Sequence, residues 1–536
     1  MRRPHCRDDQ VGGDGPPPGR AGEWRDSRVV TAALAATLFG ALFLFARGNV
    51  PYTGLWFDEA VQFWISRGAP PFAPPHPPPG SIVDVVRQNG RHNLDPGGFS
   101  LLLHVWMKLG QSPTWLRILP LSFFLAGLGA MARLGWVWRR SPLFSLFSAA
   151  VPLAYPLILY HATEVRAYSM EFAGVAIGCL LLQGLPGASA SRLAATGALL
   201  GAFMGSRYSY AIFVGAACLV LGEGSLSGRS GDEPARPRRY LALALPIAVS
   251  SGLVAVLGLW PQQWRMTRYE HGALIRYLNP ATAAGKTVGQ LGWALAKNLL
   301  SLPSLPLTVA SLVALIPARC RGGAGWLGFG AVPESRAIYR LTLWVLVLSA
   351  GLWRWHPWDV GQKWSLYLHA LSAVVVVRLV ADVLGRLESR ADLGRPAQVA
   401  WTLVAVIAVG ALSVNAAVHR RVHKNDLTSV LRYLDGLSLA EGSVAVSPHP
   451  YPTLRYLYEH GPFAGHPHYP GAFRLPNRNG PKPLVGAGVT HVITYEKPEV
   501  LEKMYPGFTV GADPSWPANL YRVGPRPSVL NTREIP

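Results

Sequence analysis

The sequence predicts a polytopic α-helical membrane protein of about eleven transmembrane helices, followed by a small C-terminal α/β domain. Three observations lead there. Of the 536 residues 50% are hydrophobic and the mean hydropathy is +0.22, too apolar for a water-soluble chain of this length. Apolar runs recur between residues 29 and 418, with Lys and Arg clustered in every second connection, as expected when basic loops stay in the cytoplasm. Past residue 418 the apolar runs shorten, and Pro, His and Tyr become more frequent.

Residues 1–28 are polar and rich in Arg, Pro and Gly, without hydrophobic periodicity, and read as a disordered cytoplasmic tail. The run 29–46 is a retained helix, because Arg47-Gly48-Asn49-Val50-Pro51-Tyr52 follows it in place of a small-residue cleavage site. Further spans are predicted near 114–138, 142–160, 168–184, 193–206, 209–222, 240–260, 287–317, 339–353, 364–385 and 398–418. Arg139 and Arg140, Arg192, the 229–239 arginines, Arg319, Arg321 and Arg336, and Arg386, Arg390 and Arg395 then lie on the inner side with the tail. This alternation requires that the helix of about thirteen residues from Gly97 not cross, being short of the roughly twenty a span needs. It is placed along the outer leaflet.

The first external loop, 48–113, contains a proline run at 70–79, read as an extended polyproline II spacer. After it, Ile82, Val85 and Val86 share one face of a short interfacial helix. The transmembrane domain thus covers 29–418, and an extracytoplasmic domain covers 424–536. In the latter, 443–447, 490–495 and 519–523 read as strands and 453–459 as a helix.

The net charge of +21 does not imply nucleic-acid binding, since the basic residues are scattered between apolar runs. The four cysteines, Cys6, Cys179, Cys218 and Cys320, have neither metal-ligand nor disulfide spacing. The chain has no glycine-rich phosphate loop and no Walker lysine, which disfavours a nucleotide-sugar donor or ATP-driven transport.

Chemistry concentrates in Leu55-Trp56-Phe57-Asp58-Glu59-Ala60. Two adjacent acids beside a lipid surface are costly unless something uses them. Three later stretches stand in a fixed order: His92-Asn93-Leu94-Asp95-Pro96-Gly97-Gly98-Phe99, Leu116-Arg117-Ile118-Leu119-Pro120, and Tyr160-His161-Ala162-Thr163-Glu164-Val165-Arg166-Ala167-Tyr168. Together these stretches resemble the Asp-Glu, His-x-x-Pro-Pro, Leu-Arg-hydrophobic-Pro and Tyr-x-x-Glu-x-Arg-x-Tyr elements of the GT-C membrane glycosyltransferases, in the group of the protein O-mannosyltransferases and aminoarabinose transferases. Gly97 stands where that family has its second proline.

The resemblance implies a GT-C type fold and transfer of a sugar, with inversion, from a polyprenyl-phosphate donor to an acceptor hydroxyl of a protein, lipid or polysaccharide. The site would lie at the outer face of the cytoplasmic membrane, among membrane lipid. It makes Asp58 the base, with Glu59 orienting the acceptor or joining Asp58 on a divalent metal ion. Arg166 is the candidate ligand of the donor phosphate, against the alternative of a snorkelling arginine paired with Glu164. Arg207 and Lys363 are further phosphate candidates, Lys363-Trp364 lying where family members carry Arg-Tyr; Trp355, Trp358 and Trp364 alternatively anchor that turn in the interface. His92 and Asp95 open the short helix, Asp95 as its N-cap or as a contact to the donor head group or a metal. A transporter or flippase of lipid-linked sugars, or a non-catalytic relative, is the alternative reading. Transporters show related halves and midplane charges, whereas here the notable acids sit at one surface.

Overall fold

The computed structural model describes residues 23–51, 54–73, 75–93, 95–185, 188–226, 235–259, 262, 301, 304–315, 333–351, 366–389, 394–420, 427–437, 439–440, 442–447, 449–464, 473–474, 489–504, 508–511, 517 and 519–525. Lys363 and the turn expected around it, most of the expected 287–317 span, Cys6 and Cys320 lie outside them.

Where a helix starts is set largely by local chemistry. Helix α1 (Glu23–Asn49) extends into the polar segment that was expected to be disordered, because polar residues cheaply propagate a helix that the apolar run has already nucleated. Three short helices, α2 (Phe57–Ser66), α3 (Ile82–His92) and α4 (Gly98–Trp106), follow in the first loop. In α3, Ser81 and Asp84 cap each other, the Asp84 amide donating to Ser81 Oγ at 3.3 Å and the Ser81 amide to Asp84 Oδ2 at 2.9 Å. Helix α5 (Pro113–Arg139) begins with Pro113 at its first position and Ser112 accepting from the Trp115 amide at 3.2 Å.

The expected 142–160 span is instead three pieces, α6 (Pro142–Ala150), a 3-10 turn (Val151–Ala154) and α7 (Pro156–His161). Pro152 and Pro156 remove the amides a continuous helix needs. Then come α8 (Tyr168–Gln183), α9 (Ala190–Phe203), α10 (Tyr210–Leu226) and α11 (Ala235–Val254), which ends in a π-helical turn (Ala255–Leu259). Next are α12 (Leu305–Leu315), α13 (Pro333–Gly351), α14 (Leu366–Ser389) and α15 (Gly394–Val418). Among the described residues five helices are long and apolar enough to cross a membrane, and four shorter apolar helices join them.

One continuous core takes in side chains from Leu34 in α1 to Ala416 in α15 together with Tyr456 of the terminal domain, and α14 is the most buried of the long apolar helices. Apolar side chains of α1 (Phe39, Phe43), α11 (Leu241, Leu245) and α15 (Leu403, Ile407) point outward, as on helices solvated by lipid. Helices α9 and α11 touch through small residues. A Cβ on Gly197 would lie 2.3 Å from the Leu243 carbonyl oxygen, so glycine permits the close crossing. Helix ends assigned to the outside meet at one end of the bundle. Asn49 Nδ2 donates to His419 O at 3.0 Å and the Gly98 backbone amide to Gly205 O at 2.9 Å. Helix α4 starts beside Gly205 and ends with Trp106 stacked 4.5 Å from Trp115 at the start of α5, and its nine residues are short of the roughly twenty a span needs.

The C-terminal domain is a five-stranded sheet in the order β2-β1-β3-β5-β4, built from β1 (Val444–Val446), β2 (Phe473–Arg474), β3 (His491–Ile493), β4 (Phe508–Gly511) and β5 (Leu520–Pro525). Strand β1 runs parallel to β2 and β3, and β5 is antiparallel to β3 and β4. Helices α16 (Leu427–Asp435), α17 (Tyr451–Glu459) and α18 (Pro498–Met504) complete it.

Helix α17 clamps this domain onto the first loop. Trp64 Nε1 donates to Pro452 O at 3.0 Å, and the Arg455 guanidinium lies 3.6 Å from the centre of a Trp64 ring. A desolvated cation–π contact of this kind is worth about 2 kcal/mol. Arg455 and Tyr451 also hold Ala73 O, and the Gly80 amide closes the proline segment onto Arg67 O at 2.8 Å. The expected extended spacer is therefore a folded strap, because the terminal domain supplies donors for its carbonyls.

His460, beside Arg67 Nη1 at 2.5 Å and packed on Phe63, Trp64 and Tyr456, caps this clamp. Burial, then the positive charges of Arg67 and Arg455 and the neighbouring His76, push its pKa down to about 4. An unfolded histidine titrates near 6.5, so the imidazole's contribution is fully present above about pH 6.5 and is lost as the pH falls toward 4. Amide exchange in α17 is expected to accelerate across that window in the wild type and to be flatter in His460→Gln; equal profiles would assign the change to another group.

Candidate functional site

Glu59 joins three of the motif segments. Its side chain is fully buried and pairs with the fully buried Arg117, Oε2 to Nη2 at 3.0 Å. Oε1 accepts from the Val165 amide at 3.0 Å and Oε2 from the Trp56 amide at 3.3 Å, while Arg117 also donates to Gly54 O at 2.5 Å. With its oxygens committed in this way, Glu59 does not form with Asp58 the two-carboxylate face a metal needs. Among the described residues no three His, Cys, Asp or Glu side chains gather as a metal site.

Asp58 lies in the first turn of α2, where the helix dipole favours a negative charge. Its side chain is 21% exposed and its Oδ1 is 3.7 Å from Arg166 Nη1. Arg166 Nη2 binds Asp95 Oδ2 at 3.1 Å, which brings the second motif segment to the fourth. Arg207 Nε lies 3.9 Å from Asp95 Oδ1 and 3.8 Å from Glu171 Oε2. The Tyr168 ring sits between the two cations, 4.4 Å from the Arg207 guanidinium and 5.9 Å from that of Arg166. Burial by itself lowers the pKa of both arginines, but Tyr168, Asp95 and the flanking acids outweigh it and hold them up. Both remain cations.

Several expectations change. Asp95 is not the N-cap of α4, which is Gly97 in the left-handed region at φ 97°. Glycine tolerates that conformation, whereas a proline, locked near φ −65°, would not. Arg166 pairs with Asp58 and Asp95, while Glu164 binds His161 Nδ1. His92 lies in the last turn of α3 and its ring packs edge-on against Phe72 at 6.0 Å.

Residues without an assigned role also enter the cluster. Glu171, buried in the first turn of α8, accepts from the Ser209 hydroxyl. Gln262, delivered by the π-helical end of α11, donates to Asp95 O at 2.8 Å and accepts from Tyr208 at 2.9 Å. An acid inside an apolar run was the readable signal for Glu171; Gln262 gave none. The terminal domain reaches the rim, where the His449 ring is 5.3 Å from that of Phe57.

The fold and site define a helical membrane protein with an alternating carboxylate and guanidinium cluster at one end of its bundle. No family model matches the chain, and no curated protein matches it in sequence. Among solved structures it is similar to the oligosaccharyltransferase of Archaeoglobus fulgidus, at 12% identity and a TM-score of 0.39 over 76% of this chain and 57% of that one. It is also similar to ArnT from Cupriavidus metallidurans in the apo state, at 14% identity and a TM-score of 0.35 over 83% of this chain and 86% of that one. The chain thus spans little more than half the length of the archaeal enzyme.

Proposed function

We propose that this chain is a GT-C type membrane glycosyltransferase that moves a sugar from a polyprenyl-phosphate donor to an acceptor hydroxyl at the outer face of the cytoplasmic membrane. One observation carries the reading: a partly exposed carboxylate, Asp58, stands 3.7 Å from a guanidinium, Arg166, that comes from a distant segment. Glycosyl transfer needs those two services side by side. As the acceptor oxygen attacks the anomeric carbon, its proton passes to the Asp58 carboxylate. The bond from that carbon to the phosphate oxygen breaks, and the charge released on the phosphate is held by Arg166 and Arg207 in a partly dehydrated pocket. Lys363, which lies outside the described residues, is proposed as a further phosphate ligand. Glu59 is a positioning residue, fixing the first turn of α2 against Arg117 and Val165. The acceptor is a protein, lipid or polysaccharide hydroxyl.

The donor is identified by mass spectrometry of polyprenyl-phosphate sugars in cells carrying wild type or Asp58→Asn at matched expression. One lipid-linked sugar is expected to accumulate only in the variant. Identical lipid pools and envelope glycans in the two strains would overturn the role of Asp58.

A further inference from the structure

The charged cluster holds three carboxylates, of Asp58, Asp95 and Glu171, against two guanidinium groups, of Arg166 and Arg207. With three acids against two cations, the cations are already more than balanced without a ligand. A phosphate brought among side chains this buried would meet cations whose charge is spent and acids that repel it, and at low dielectric that repulsion is large. Phosphate binding at Arg166 and Arg207 therefore requires that a carboxylate give way.

The contacts single out one of the three. Glu171 is fully buried and is held by Ser209 as well as Arg207. Asp58 touches Arg166 at 3.7 Å, at the edge of the cluster. Asp95 alone lies against both guanidinium groups, as a bridging phosphate would. Its main chain is pinned separately, its carbonyl accepting from Asn89 Nδ2 at 2.9 Å and Gln262 Nε2 at 2.8 Å. The carboxylate can turn away by side-chain torsions while the backbone stays in place.

We propose that Asp95 is the resident counterion of Arg166 and Arg207, and that the phosphate of the donor replaces its carboxylate between them. This rests on the reading of the two arginines as the phosphate site. It also specifies the ligand charge. A phosphodiester carries one negative charge, so exchanging it for Asp95 leaves the charge of the cluster unchanged, whereas a diphosphate adds to it. Exchange also taxes binding, since only the fraction of molecules with Asp95 turned away accepts the ligand.

The test measures binding of farnesyl methyl phosphate, a singly charged diester, to the full chain in detergent, with farnesol as the uncharged control. Asp95→Asn is expected to bind the diester about tenfold more tightly than wild type, with farnesol unchanged. Equal or weaker diester binding overturns the exchange. Arg166→Gln separates this from the underlying reading. If it loses the preference for the diester over farnesol while Asp95→Asn gains nothing, the phosphate site stands and the counterion role falls. If wild type itself does not prefer the diester to farnesol, both fall. A measurement on wild type alone guards against an Asp95 variant that does not fold: the diester should bind more tightly than farnesyl diphosphate, and the reverse order overturns the proposal.

Discussion

Asp58→Asn is expected to lower sugar transfer by about 10²–10⁴-fold, the range over which a positioned general base contributes, with little change in thermal stability. Asparagine keeps the size of the side chain but cannot take the acceptor's proton. Asp58 is partly exposed and its ion contact to Arg166 is long, at 3.7 Å, so the fold loses little; surface-type pairs contribute about 0–1 kcal/mol. The check is initial rates with donor and acceptor both saturating, alongside a thermal melt. Undiminished turnover would move the base elsewhere, while a fall in melting temperature as large as that from a core variant would make Asp58 structural.

Its neighbour should behave in the opposite way. Glu59→Gln leaves the Arg117 guanidinium in a fully buried site without its counter-charge, and breaking a buried pair from one side costs about 3–5 kcal/mol. The loss should show as a lowered unfolding temperature followed by tryptophan fluorescence. Activity should fall with it, since Glu59 holds the 54–59, 117 and 165 segments together. Replacing both partners, Glu59→Gln with Arg117→Met, should recover part of the stability, because no uncompensated charge then remains. If the double variant is no more stable than the sum of the singles, the pair is not the source of the effect.

Two adjacent acids, with the same backbone chemistry and nearly the same sequence context, thus differ through one geometric fact. Successive residues on a helix point about 100° apart, so when α2 lies on the bundle one acid faces the core and the other, partly exposed, faces Arg166. The sequence signal marked the pair, but which member faces Arg117 depends on how α2 packs, and no local pattern encodes that.

The arginine cluster shows the same division. Arg166 and Arg207 stood out because charge at the end of an apolar run is rare. The partner of Arg166 was not legible: Glu164, two residues away, was the alternative mate the sequence offered, whereas Asp95 takes that place from 71 residues away. Spacing reveals neighbours on one helix, not contacts made by loops that meet at the bundle end. Asp95 likewise read as a cap because it precedes a helix, but the Pro96-Gly97 turn moved the helix start beyond it.

What the sequence determined by itself was the membrane class and, among the described residues, most of the helix positions. Those follow from how much apolar surface each run must hide from water and from where its charges cannot go, which are properties of short stretches read one at a time. Only the tertiary structure decided the break of the 142–160 run into pieces, the folding of the proline strap under α17, and the division between Glu59, Glu164 and Asp95. Each depends on a partner supplied by a distant segment, since a buried polar group takes whichever counterpart the packing brings within hydrogen-bond reach.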